Sequence, residues 1–156
     1  MHALCTIIAP TIVHINHIVN EYSMRNEWDY CNVGGRYSNL LPISKRTKKA
    51  KSEEHGIGLE GLVDGEFPYH DLDANPNCFY TDIARIRQID FGEIDRLRAH
   101  GRLTGLDPYR LIVMTPTGIT DFMVDETSPA AMQMMRDYIR HPAHGYYYAV
   151  VIDYHY

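Results

Sequence analysis

The chain has 156 residues, 45% of them hydrophobic and 22% charged, with 20 Asp plus Glu against 15 Lys plus Arg and a formal net charge of -5. That describes one domain, 1–156, able to bury a core without disulfides or a structural metal, and it excludes a chain disordered throughout. No apolar run approaches the ~20 residues needed to span a bilayer, and residues 1–10 lack the basic start of a secretory leader, so a cytoplasmic protein with no membrane partner is expected.

Three cysteines, Cys5, Cys31 and Cys78, are odd in number and far apart. They fit neither a disulfide framework nor a zinc knuckle, so reduced thiols are expected, with no metal and no cofactor. The 12 Tyr and 9 His offer flat faces with polar tips, which suits a polar aromatic ligand or a half-wet sheet.

In chain order, residues 3–9 (ALCTIIA) form a β-branched apolar run that stops at Pro10, as a buried first strand does. Thr11 can cap a helix in which Ile12, Ile15, Val19 and Tyr22 share one face. Residues 28–41 predict strand, tight turn, strand. Lys45, Arg46, Lys48, Lys49 and Lys51 then make a basic loop, and residues 56–77, rich in Gly, Asp and Pro, extend it into an irregular insertion over about 43–80.

Residues 82–88 alternate apolar and basic side chains, as a short strand would; Asp90 starts a helix stopped at Gly101. Residues 110–124 predict a hairpin turning at Thr117 and Gly118. Pro129 opens a last helix with Met132, Met135 and Ile139 as its core stripe. The closing run YYYAVVIDYHY is a strand with Tyr147, Ala149, Val151, Asp153 and His155 facing one way and Tyr146, Tyr148, Val150, Ile152 and Tyr154 the other. The fold predicted is α+β, an embellished ferredoxin-like sandwich with a mainly antiparallel sheet, helices on one face and a long loop insertion.

Two segments carry candidate chemistry. In Gly34-Gly35-Arg36, glycines permit positive φ and close approach of main-chain N–H groups to an anion, and the guanidinium beside them grips phosphate; a bulge or turn is the competing reading. Trp28 and Asp29, one strand length earlier, are placed to flank the same pocket, with simple core packing the competing reading for Trp28. In Asp153-Tyr154-His155, carboxylate and imidazole stand on one strand face, an arrangement in which Asp153 could orient His155 as a general acid or base; a solvated strand edge is the competing reading and, for the pair taken alone, the favoured one. If the first and last strands pair, His2 joins them as a metal-site alternative. The phosphate-binding G-x-x-x-x-G-K-[ST] loop, the Rossmann G-x-G-x-x-G, the zinc-protease H-E-x-x-H and the nucleophile-elbow G-x-S-x-G are absent.

Taken together, these segments resemble a family of small phage and prophage proteins. WDYCNVGGRY (28–37) is similar to its W-D-W-Y-x-x-G-G-R-W segment; Asp82, Ala84, Ile89 and Asp90 match D-x-A-x-x-x-x-I-D; Thr115, Pro116 and Gly118 match T-P-x-G; and VIDYH (151–155) matches a V-V-D-C-H ending. Cys31, Tyr37 and Tyr154 depart from it, standing where the pattern has an aromatic residue, Trp and Cys.

The resemblance brings no established activity with it. Analogy with other small phage proteins, together with the Arg on a Gly-rich turn, the Asp/His pair and the tyrosines, gives the expectation of a phage counter-defence protein, acting in the host cytoplasm, that recognises a cyclic nucleotide or related immune signal. If it is an enzyme, a phosphodiesterase-like hydrolase is expected. Arg36, with main-chain N–H groups near Gly34 and Gly35, would hold phosphate, His155 and Asp153 would do the proton transfer, and Trp28, Asp29 and Tyr37 would line the ligand. A non-catalytic nucleotide sponge and an anti-CRISPR or anti-restriction inhibitor of a host defence protein stay open as alternatives, as does a homo-oligomer. Direct DNA binding is not expected, because the basic residues form one loop rather than a groove-matching stripe.

Overall fold

The first strand, β1 (His2–Ala9), and the last, β8 (Tyr148–His155), are apolar on both faces, so the sheet they share needs cover on both sides. The computed structural model describes residues 1–24, 28, 30–45, 65–123 and 129–155. Between those two strands come α1 (Ile12–Met24), β2 (Tyr30–Val33), β3 (Leu41–Ser44), β4 (Cys78–Thr81), β5 (Ile83–Arg85), α2 (Phe91–Ala99), β6 (Arg110–Thr115), β7 (Gly118–Met123) and α3 (Pro129–Arg140). Short 3-10 turns lie at Gly35–Tyr37, Ile86–Gln88 and Pro142–His144.

β1 and β8 are antiparallel along their whole length, with His2 opposite His155 and Ala9 opposite Tyr148. On its other side β1 runs parallel to β6, which turns back into β7, giving the order β2-β8-β1-β6-β7. The outer side of β8 is shared: β2 pairs with its end from Ile152 to His155, and β5 with its start from Tyr148 to Val150. Val151, at the junction, is satisfied from both neighbours, since the Gly34 N–H donates to its carbonyl at 2.9 Å and its own N–H donates to the Asp82 main-chain carbonyl at 2.9 Å. This junction brings the Gly34-Gly35 turn and Asp82 against β8.

Side-chain alternation along β8 follows the two-residue period: Ala149 and Val151 enter one apolar layer, Tyr148, Val150, Ile152 and Tyr154 the other. Ile15, Ile18 and Tyr22 of α1 cover the Tyr154 side, while Ile94 of α2 and Met135 and Ile139 of α3 are buried on the opposite side. The mixed α+β class and the mainly antiparallel sheet therefore hold, but the helices lie on both faces rather than one. The cause is β1 itself: Ala3, Cys5, Ile7 and Ala9 face α1, and Leu4 and Ile8 face the other way, so neither side can be left to water.

Local signals act where they were expected. Thr11 Oγ1 accepts the N–H of His14 at 3.2 Å and so starts α1; Asp90 Oδ1 accepts the N–H of Glu93 at 3.0 Å and caps α2; Gly101, at φ 72°, ends it. The stretch expected to be irregular over about 43–80 is more ordered at its ends. There β3 and β4 form a two-stranded ribbon from Leu41 opposite Thr81 to Ser44 opposite Cys78, and Gly65 bridges to Tyr80. Apolar Leu41, Ile43 and Tyr80 are buried, which the ribbon achieves by laying them on the core. Of the basic loop, Lys45 stands 5.2 Å from the centre of the Phe79 ring, and Arg46, Lys48, Lys49 and Lys51 lie outside the described residues.

Candidate functional site at the β1–β8 end

Asp153 is 1% exposed, and a buried carboxylate must be supplied with donors. Two arrive from opposite directions. His2 Nδ1 lies 2.8 Å from Oδ1, reaching across from β1, and the main-chain N–H of Arg36 donates to Oδ2 at 3.0 Å. Antiparallel pairing makes the first contact, since it sets His2 and Asp153 on neighbouring strands one diagonal step apart.

The second contact depends on the glycine turn. Gly34 and Gly35 have φ of 72° and 54°, a region disfavoured for other residues. Space forbids a side chain as well: a Cβ on Gly35 would stand 2.6 Å from Asp153 Oδ2, and one on Gly34 would stand 2.5 Å from Asp82 Oδ2. The turn thus lies directly on two carboxylates of its own chain. Asn39 N–H donates to Asp82 Oδ1 at 2.6 Å; burial pushes that carboxyl above its ordinary range and this bond opposes the shift.

This geometry corrects the anion assigned to the turn. Gly34 N–H goes to the Val151 carbonyl and Arg36 N–H to Asp153, so these two donors serve internal acceptors rather than a ligand phosphate. The reason is the burial of Asp153, which claims the nearest donor. The Arg36 side chain itself is exposed.

His2, whose side chain is 25% exposed, also lines a cleft of about 300 Å³ with Tyr37, Tyr109, Leu103, Pro108 and Met132. The Tyr37 hydroxyl donates to the His2 carbonyl at 3.3 Å, fixing one wall to the next. His155 stands beside His2, ring centres 5.1 Å apart and edge to face. The imidazole on Asp153 that faces the cleft is therefore His2, where the sequence pointed to His155; strand register, invisible in sequence spacing, decides between them. The chain matches no protein-family model, no curated protein and no solved structure.

Trp28 is 3% exposed and packs between Tyr22 and Tyr154, ring centres 5.1 and 5.2 Å away, on the face covered by α1. A buried indole on the far side of the sheet offers no platform to a ligand in this cleft, whose aromatic lining is Tyr37 and Tyr109. Parity explains the displacement, because Tyr154 points away from the side that Asp153 and Val151 share. Asp29 lies outside the described residues.

The thiols are poor nucleophiles. Burial pushes Cys31 up to about 11, with the Asp153 charge adding to it, and pushes Cys78 up to about 12, while Cys5 is raised well above the ordinary thiol range. Among the described residues no group of three or more His, Cys, Asp or Glu side chains is placed to hold a metal ion, and no helix is long and apolar enough to cross a membrane.

Proposed function

We propose that this chain binds a phosphorylated, base-containing small molecule of the cyclic-nucleotide type in the cleft walled by His2, Tyr37 and Tyr109, and that it serves as a phage counter-defence protein in the host cytoplasm. The observation that carries the reading is the 2.8 Å contact between His2 Nδ1 and Asp153 Oδ1 at the cleft wall. An imidazole held by a buried carboxylate has a fixed orientation, which a general acid or base needs.

The tyrosines supply π-faces on which any base can stack. Their number at one cleft favours a ligand with a flat ring over a bare anion. The sheet segment β8-β1-β6-β7 does not carry the ferredoxin-like part of the expectation, because β1 runs parallel to β6 and directly beside it, where a split β-α-β unit sets another strand between them, and helices cover both faces.

Where the ligand is cleaved, water adds across one P–O ester bond. With Nδ1 engaged by Asp153, Nε2 of His2 takes the proton of the attacking water, and the protonated ring returns one to the departing oxygen. Where it is only sequestered, the same cleft suffices without that step.

One experiment separates these outcomes. Purified protein is incubated with cyclic di- and trinucleotides and ADP-ribose-type signals, and the solution is chromatographed before and after heat denaturation. New products establish cleavage, and ligand that vanishes and returns intact on heating establishes sequestration. Unchanged ligand in both samples across the panel overturns the nucleotide reading.

A further inference from the structure

The loop after α2 and the facing side of α3 bring three arginines into one cleft of about 360 Å³, lined by Arg98, Arg102 and Arg136 with Asp107, Leu103 and Met132. Sequence spacing conceals the cluster, since Arg136 comes from a different helix. Asp107 organises it. This 8% exposed carboxylate takes the Thr104 hydroxyl at 2.7 Å on Oδ2, while Oδ1 meets Arg136 Nη1 and lies 3.4 Å from Arg98 Nε. Arg136 is 6% exposed, and its Nη2 also donates to Gln133 Oε1 at 2.9 Å.

Three guanidinium groups thus face a cleft containing a single carboxylate. Arg102 does pair with Asp71, but Asp71 stands at the surface outside the lining. The donors are also incompletely used: Nε of Arg102 and Nε of Arg136 are both buried and meet no acceptor among the described residues. A buried N–H without an acceptor costs about 1–3 kcal/mol, more on a charged group, so each is a standing demand for an oxygen. Both belong to side chains that line one positively charged cleft, so the unmet donors and the excess of positive charge fall in the same place.

We infer that this cleft is an oxyanion site for a phosphate group. A phosphomonoester brings up to two negative charges and three acceptor oxygens, and a diphosphate more of both, which matches the excess of guanidinium over carboxylate better than a lone carboxylate does. Guanidinium suits it further because its planar fork binds paired oxygens. The inference does not need the nucleotide reading. Only its extension does: Leu103, Asp107 and Met132 line this cleft and the His2–Tyr37–Tyr109 cleft alike, so the two adjoin and a ligand seated on the tyrosines would have the arginines on the other side of those shared residues.

The test is calorimetric titration with pyrophosphate, and separately with AMP, on the wild-type chain and on Arg98→Gln and Arg102→Gln. Those two side chains are each 31% exposed and can be changed without stranding a buried charge, unlike Arg136 beside Asp107. Pyrophosphate is expected to bind and to weaken by about tenfold in either variant, the loss expected for one charge-assisted contact, with Arg87→Gln, outside the cleft, as the control that keeps wild-type affinity. Circular dichroism checks that each variant is folded. Absence of pyrophosphate binding at millimolar concentration, or equal affinity in the folded Gln variants, overturns the site. Pyrophosphate binding together with a negative nucleotide panel retains the site and removes the nucleotide reading alone.

Discussion

His2 Nδ1 and Asp153 Oδ1 lie 2.8 Å apart although 151 positions separate them in the chain. The same carboxylate holds the Gly35–Tyr37 turn through the Arg36 N–H, so one side chain joins β1, β8 and the turn. Asp153→Ala should therefore cost stability as well as any chemistry, by about 1–3 kcal/mol, because it strands two donors at a buried position. Urea denaturation measures it, and a midpoint unchanged from wild type would show that these bonds carry no net stability.

Gly35→Ala tests the turn itself. The new Cβ would sit 2.6 Å from Asp153 Oδ2 at a φ of 54°, so either the carboxylate or the turn must move. The backbone term is of order 1–3 kcal/mol, and the contact adds to it. Thermal unfolding of the Gly35→Ala chain should fall well below wild type. Gly101→Ala is the comparison, since it has a similar φ of 72° but nothing within 4 Å of the added carbon, and it should lose less.

Trp28 is the one tryptophan of the chain, so fluorescence reports on it alone. Buried between Tyr22 and Tyr154, it should emit at short wavelength and resist quenching by acrylamide in the folded protein, with both properties lost in urea. Strong quenching in the native state would place the indole at the surface and restore the ligand-stacking role that the sequence suggested.

How far the sequence carried varies with the range of the interaction. The alternation of β8, the Asp90 cap and the Gly101 stop were legible because each depends on neighbours within a few residues. Burial of both sheet faces was not, since it depends on which strands pair. The glycine turn was recognised as an anion-holding element, but its anion, Asp153, comes from the other end of the chain. His2 entered the sequence reading only as a conditional metal ligand, and the register of β1 on β8 was needed to show its place beside Asp153. The arginine cleft had no sequence signal at all, because its members come from α2, the following loop and α3.

Asp82 supplies a pH-dependent prediction. Burial raises its carboxyl pKa in the folded chain, only partly opposed by the Asn39 N–H bond. A raised carboxyl favours the folded state while protonated, and that contribution is lost as pH rises through the folded value. Asp82→Asn keeps an acceptor oxygen without the charge, so its melting temperature should exceed that of wild type near neutral pH. The difference should shrink as the solution is acidified below the ordinary carboxylate range. A variant less stable than wild type at neutral pH would show that the charge on Asp82 is satisfied where it lies.

The most direct measurement of the central claim is the histidine NMR spectrum of the protein titrated with the cyclic-nucleotide panel, with the His2 resonances assigned by their disappearance in His2→Gln. Binding in the cleft predicts that one ligand shifts the His2 ring signals in a saturable way and leaves those of His14 and His17, on exposed positions of α1, in place. His2 signals that stay unmoved with every ligand up to millimolar concentration would contradict the assignment of this cleft as the nucleotide site.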